Sequence, residues 1–391
     1  MAGLALAKTQ PSIGRGSTLH TFLALAFLII IWIGAAANIS QINFNHPLVY
    51  TILFGSALIV LPNFLRQQPY ELAFATAYLV CATAFLLDFA CLNFLRLNLS
   101  ASFVLSEVRG FAIPYNRGPY FSPSGPLEEP GDLAFFLCAM FPFVAAIALR
   151  RHGAFGLLAA VAIHVLALIG AFSSASLVMW PLSLTIAGLT YILLNPRQAT
   201  ALLALLRRPL YLRRAVLTVL LLFGAMSWGA TIVISSPSAQ NMFAATAAKA
   251  QFSAASGSAV ARQNDFILAK STFAESPVFG KGVGYFSSTH GFVPQNFYLL
   301  ILAETGIAGA TLLFGLIAAA LWAVRSNFSL YWSLIYSCLH LFVISDVWQF
   351  AFLYVLAASS GFSSSPPPNF RLRRDFIRSM YARSAAAQDK S

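Results

Sequence analysis

Polar residues are scarce in this chain, and they gather in three places where their types and spacing could do chemistry. Arg262, Phe266 and Lys270 recur every four residues, so on a helix they share one face and offer two cations around an aromatic ring. Glu128-Glu129-Pro130-Gly131-Asp132 places carboxylates immediately before an apolar run. At such an edge low dielectric favours the protonated form, which suits Glu129 to act as general base toward a hydroxyl. The competing account is a helix N-terminus, where the dipole favours acids. The third grouping runs from Pro277 through Gly280-x-Gly282-x-Gly284 to Gln295-Asn296, Tyr298 and Glu304. It joins a glycine-rich turn to a polar pair and a carboxylate two turns into an apolar segment. A lone carboxylate there is costly, so it is either functional or hydrogen-bonded to another helix for structure.

These groups have to be positioned by a membrane bundle. Hydrophobic residues make up 59% of the 391, charged residues 9%, and mean hydropathy is +0.75, which excludes an ordinary soluble domain. The expected fold class is all-α: a polytopic integral membrane protein. Apolar runs at 21–38, 48–64, 72–93, 133–149, 154–172, 177–194, 215–235, 297–322, 329–344 and 347–361 are ten candidate transmembrane helices. Each is near the ~20 residues a crossing needs, the last two falling short of it. The organisation expected is a cytoplasmic N-terminus over 1–20, a transmembrane domain over 21–361 and a basic cytoplasmic tail over 362–391. Ala35-Ala36-Ala37 after an apolar stretch imitates a signal cleavage site, but the many later spans favour an uncleaved anchor.

Charge supplies the orientation. With the N-terminus inside, 17 of the 24 Lys and Arg residues fall on inside segments, as the positive-inside rule requires. The net charge of +12 is therefore a topology signal and an attraction to anionic membrane lipids, with no nucleic acid implied. Residues 197–214 read as an interfacial amphipathic helix on the inside. Two long outside loops remain, about 94–132 and 236–296. The second contains an alanine-rich helix at 242–252 and another at 260–274, closed by Pro277 and the glycines.

On that outside face Arg109, Arg117, Arg262, Lys270 and Lys281 lie among Tyr115, Tyr120, Phe121, Tyr285, Phe286 and Tyr298. Arginine forks match the paired oxygens of a diphosphate, and aromatic faces match the apolar face of a sugar. Such a set suits a lipid diphosphate carrying a glycan, although any single arginine could instead snorkel to the headgroups. Arg262 fits that alternative least, because it sits mid-loop against the positive-inside bias. His290 is a possible base or simply a turn residue. His164 and His340, inside apolar runs, read as satisfied core groups. Cys81, Cys91, Cys138 and Cys338 all fall in apolar segments without metal-ligand or disulfide spacing. Asp-x-Asp and the phosphate-binding Gly-x-x-x-x-Gly-Lys pattern are absent, which disfavours nucleotide-sugar and ATP chemistry.

Three segments resemble the bacterial O-antigen polymerase and ligase family, which includes exopolysaccharide and capsule polymerases. They are Arg117-Gly118-Pro119-Tyr120-Phe121 with Glu129-Pro130-Gly131-Asp132; Arg262 with Phe266; and Pro277-x-Phe279-Gly280-x-Gly282-x-Gly284 through Asn296-x-Tyr298 to Glu304-x-Gly306-x-x-Gly309. The resemblance implies a metal-independent glycosyltransferase of the bacterial inner membrane with its site facing the periplasm and no cofactor. It implies transfer between undecaprenyl-diphosphate-linked oligosaccharides, with a chain-length regulator protein as a plausible partner. Glu129, or else His290, would take the acceptor proton. Arg262 and Arg117 would stabilise the leaving diphosphate. Arg109, Tyr120, Lys270, Lys281, Tyr285, Gln295, Asn296, Tyr298 and Glu304 would bind substrate. Ligases of the family carry His-Asn where this chain has Gln295-Asn296, which turns the expectation toward a polymerase. A ligase and a lipid-linked glycan flippase are the alternatives. The flippase is disfavoured because spans four to seven hold only His164 as an ionisable group.

Overall fold

The computed structural model describes residues 15–40, 42–65, 70–97, 115–117, 120–123, 130–196, 200, 257–343 and 350–361. In chain order these form α1 (Arg15–Ala37), α2 (Asn45–Gly55), a π-helical turn (Ser56–Val60) leading into α3 (Leu61–Leu65), and α4 (Tyr70–Ala90) with a π-helical end (Cys91–Leu95). Two short strands follow, β1 (Tyr115–Arg117) and β2 (Tyr120–Ser122). Then come α5 (Pro130–Gly170), α6 (Ser174–Leu194), α7 (Gly257–Glu275), α8 (Tyr285–His290), α9 (Phe297–Val324), α10 (Phe328–His340) and α11 (Phe350–Gly361). Among the described residues, five helical segments are long and apolar enough to cross a membrane: Leu19–Ala37, Tyr70–Leu95, Pro130–Gly170, Ala175–Leu194 and Phe297–Val324. The runs at 48–64, 329–344 and 347–361 form shorter helices, and 215–235 lies outside the described residues.

The outward faces are as apolar as the core. In α1, Ala24, Phe27 and Ile31 are buried while Phe22 and Ile29 are exposed; Phe155 on α5 and Leu193 on α6 are exposed as well. Water would penalise such surfaces, whereas hydrocarbon does not. Helices suit that setting because their backbone groups are satisfied within each segment.

Two of the five long segments double back on themselves. The Phe141 and His164 rings of α5 stack with centroids 4.3 Å apart, whereas an unbroken helix would separate those residues by about 34 Å. The reversal occurs at Gly153, which has φ 63° and ψ −149°. This accounts for the two separate runs, 133–149 and 154–172, read from the sequence. In α9 the rings of Tyr298 and Phe314 stack at 5.4 Å where an unbroken helix would hold them about 24 Å apart. Here the reversal is at Gly306, with φ 65° and ψ −170°. The single span expected over 297–322 is therefore a short half-helix folded against a longer one.

Polar contacts sort the helix ends into two groups. At one end Arg150 pairs with Glu71 at 2.6 Å, Asn195 donates to the Arg325 carbonyl at 2.6 Å and Asn327 reaches the Tyr70 hydroxyl at 3.3 Å. At the other end lie the α1–α2 connection, the strands, the α5–α6 junction and the segment from Ser276 to Gly284 beside Gly306. The strands are the one departure from an all-helical chain among the described residues. They pair antiparallel, Tyr115 opposite Ser122 and Arg117 opposite Tyr120. The Asn93 side chain acts as a short extra strand: its Nδ2 donates to the Phe121 carbonyl and its Oδ1 accepts from the Phe121 amide, both at 2.8 Å. Ser122 then donates to the Gly170 carbonyl at 3.0 Å, tying the hairpin to α4 and α5.

A buried polar chain crosses the middle of the bundle. The Tyr78 hydroxyl meets His164 Nδ1 at 3.0 Å, and His164 Nε2 meets Cys138 Sγ at 3.6 Å. Ser176 Oγ contacts His340 Nε2 at 3.1 Å and accepts from the Tyr336 hydroxyl at 3.4 Å. The two histidines thus have bonded partners, as the sequence suggested, and the contacts link α4, α5, α6 and α10. Tyr78→Phe leaves the imidazole nitrogen unmatched in an apolar core, so a loss of about 1 kcal/mol is expected. Thermal unfolding in detergent checks this; an unchanged midpoint would show that the hydroxyl contributes nothing.

Candidate functional site

The site is organised around the break in α9. An unbroken helix would bond the amides of Ile307 and Ala308 to the carbonyls of Ala303 and Glu304. Here those amides donate instead to the carbonyls of Pro277 and Val278, at 2.9 and 3.1 Å. The freed carbonyls of Ala303 and Glu304 accept from the amides of Lys281 and Gly282, at 3.0 and 2.8 Å. The connection between α7 and α8 is thus stitched into the interrupted helix, and four backbone groups that apolar surroundings would penalise are all paired.

This stitch explains the glycine run. A Cβ on Gly280 would lie 2.3 Å from the Glu304 backbone carbon, and one on Gly282 2.8 Å from the Gly34 carbonyl oxygen of α1. A Cβ on Gly284 would meet the His46 side chain of α2 at 2.4 Å. All three have positive φ, 68°, 87° and 86°, a region that side chains other than glycine's rarely enter. The run read from the sequence as a turn is a wedge between α1, α2 and α9.

Glu304 is buried. Its Oε1 accepts from the Phe286 amide at 3.4 Å, the amides of Gly284 and Tyr285 lie close by, and its Oε2 has no hydrogen-bond partner among the described residues. Asn43 of the α1–α2 connection donates its amide to Ser288 Oγ at 3.2 Å. So held, α8 carries an aromatic group: the His290 ring is 5.8 Å from Tyr285, 5.9 Å from Phe286 and 6.0 Å from Phe292. Phe286 is buried beneath it, while His290 and Phe292 are exposed. Faces of this kind suit the apolar side of a sugar ring.

α7 packs against α9 and reaches the segment after α8 through Asp265. Phe266 and Lys270 are exposed one turn apart, and Asp265 accepts from the Gln295 amide at 3.1 Å. Arg262 belongs to the same helix, four and eight residues before them, and its side chain is outside the described residues. Lys281 pairs with Glu275 at 2.8 Å, a link across the Pro277 turn that the sequence reading missed although opposite charges flank the turn. Glu275 is mostly exposed, so the pair contributes no more than about 1 kcal/mol.

Four of the residues read as substrate-binding are engaged within the protein, Lys281 through its pair with Glu275. Asn296 caps the α9 half-helix: its Oδ1 accepts from the Leu299 amide at 3.1 Å and its Nδ2 donates to the Phe342 carbonyl at 2.9 Å. Tyr298 donates to the Cys338 carbonyl at 2.7 Å, and Glu304 faces the α8 amides. Their order of contacts makes them supports of the site's frame. Lys270, Tyr285, His290 and Gln295 lie at its accessible edge. Arg109 and Glu129 fall outside the described residues. Arg117 and Tyr120 are paired in the hairpin, with side chains that are likewise outside them. Phe292 was not singled out from the sequence, though its place two residues after His290 in an aromatic run was a usable signal.

Among the described residues no group of three or more His, Cys, Asp or Glu side chains could hold a metal ion. The arrangement can stack a ring and present cations to an anion beside apolar helices. Compared with known proteins, the chain matches no family model and no curated protein. Fold and site together define a predominantly helical, membrane-embedded protein with a polar and aromatic cluster at one end of its bundle.

Proposed function

We propose that this chain is a polysaccharide polymerase of the bacterial inner membrane, a multi-pass glycosyltransferase whose site faces the periplasm. Its substrates are undecaprenyl-diphosphate-linked oligosaccharides, and the lipid diphosphate is itself the leaving group, so no nucleotide cofactor is required. The acceptor hydroxyl oxygen attacks the anomeric carbon of the growing chain. The bond from that carbon to the diphosphate oxygen breaks, and undecaprenyl diphosphate departs with the electron pair. Glu129 takes the acceptor proton, and Arg262 and Arg117 stabilise charge on the diphosphate. A chain-length regulator is a plausible protein partner.

The observation that carries this reading is the wedge in the broken α9. It fixes α8, which carries Tyr285 and the exposed His290 with Phe292 nearby, and the same connection follows α7, which exposes Phe266 and Lys270 and meets Gln295 through Asp265. An amphipathic substrate needs that combination: hydrocarbon for the lipid, rings for the sugar and cations for the diphosphate.

The deciding experiment incubates purified protein in lipid with an undecaprenyl-diphosphate-linked repeat unit and separates the glycan products on a gel. A ladder of rising lengths is expected. Transfer only to a second, different acceptor would mean a ligase, and repeat units that change leaflet without forming glycosidic bonds would mean a flippase.

A further inference from the structure

We propose that Glu304 is a positioning residue, whose carboxylate seats α8 in the break of α9 and so sets the Tyr285 and His290 rings of the site. The inference rests on the glycan-polymerase reading and gives Glu304 a role other than touching substrate. Only 2% of the residue is exposed, which leaves no room for a ligand to reach it. What it does reach is the start of α8, through the Phe286 amide, with the amides of Gly284 and Tyr285 close by.

The geometry is economical. The backbone of Glu304 accepts from the Gly282 amide at 2.8 Å, and its side chain accepts from the Phe286 amide, four residues further on, at 3.4 Å. One residue therefore holds the wedge from both sides of the glycine run. Thr305 donates its hydroxyl to the Ile301 carbonyl at 2.7 Å and closes the half-helix just before the reversal. α8 spans only six residues, too few to hold its own shape. It is also tethered to the bundle by the Asn43 amide on Ser288 and by the buried Phe286 ring. Without the carboxylate, the start of α8 loses its one side-chain link to the α9 break among the described residues.

A neutral amide cannot replace the carboxylate fully. In Glu304→Gln one acceptor oxygen survives, but the NH2 group turns a donor toward backbone donors. In Glu304→Ala nothing faces the amides. The first readout is hydrogen exchange of the 280–290 segment in full-length protein in lipid, which does not depend on activity. Glu304→Ala is expected to speed exchange there about 10-fold while the long helices keep their protection, and Glu304→Gln only a few-fold. The second is glycan synthesis. Both variants are expected to raise KM for the lipid-linked unit, about 10-fold for alanine, with kcat within about 3-fold of wild type, because misplaced rings weaken binding before they alter chemistry.

Unchanged exchange in Glu304→Ala overturns the clamp. Faster exchange with unchanged KM overturns the positioning role and leaves Glu304 a purely structural residue. Wild-type protein that forms no product overturns the polymerase reading alone, and the exchange pattern then still upholds or overturns the clamp.

Discussion

Gly306→Ala is expected to lose at least about 4 kcal/mol of stability, at the top of the range for adding one methyl group. Two costs combine. With φ 65° and ψ −170°, the backbone sits in a region essentially reserved for glycine, which costs on the order of 1–3 kcal/mol for any other residue. The new Cβ would also lie 2.3 Å from the Val278 carbonyl oxygen and 2.6 Å from the Phe279 amide nitrogen. Those are backbone atoms of the wedge, so relief means withdrawing the strand of chain that satisfies Ile307 and Ala308. Each amide left unpaired in apolar surroundings costs a further 1–3 kcal/mol or so.

Two other glycines separate these contributions. Gly153→Ala meets a similar backbone strain, with φ 63°, but its Cβ would have nothing within 4 Å. It should lose only the conformational part. Gly188 lies within α6 in open space, and there alanine should be neutral or slightly stabilising. The expected order of thermal midpoints in detergent is therefore Gly188→Ala, then Gly153→Ala, then Gly306→Ala. Equal midpoints for the last two would sink the wedge as an energetic feature of the fold.

Arg262→Ala is expected to abolish polymer formation while the protein still inserts and unfolds as wild type does. Its helix presents Phe266 and Lys270 to the outside on the same face, so removing a side chain there should change stability by less than about 0.5 kcal/mol. The catalytic loss should be far larger. A group that stabilises charge on a departing diphosphate contributes on the order of 10²–10³ in rate. Arg262→Lys keeps the charge but loses the two-pronged geometry, and partial activity is expected. Polymer at wild-type levels from Arg262→Ala would remove this residue from the mechanism and with it the α7 face from the site.

The helices were legible in sequence because hydropathy over some twenty residues is a local property. The two runs flanking Gly153 were separable there by Arg150-Arg151-His152, charged and polar residues that interrupt the apolar stretch. Gly306 had a weaker signal: only Glu304 and Thr305 interrupt the apolar run beside it, and a single glycine there is compatible with an ordinary helix. What breaks α9 is a hydrogen-bond exchange between residues thirty positions apart, Val278 with Ala308, and no periodicity reports that. The same distance in sequence hid the partner of Asn93, which completes a hairpin in a segment that read as loop.

Composition by itself determined that the chain is helical and membrane-embedded, because apolar transfer is additive and needs no partner. Residue types also determined where polar chemistry could reside: the face of α7, the glycine run, and the pairs at Gln295 and Glu304. Only the tertiary structure decided which of those residues face outward. Asn296, Tyr298 and Glu304 look from the sequence like ligands for a substrate, and they are spent on backbone groups of their own chain. The reason is physical: in apolar surroundings an interrupted helix exposes amides and carbonyls that must be paired, and the nearest polar side chains are drawn into that task first.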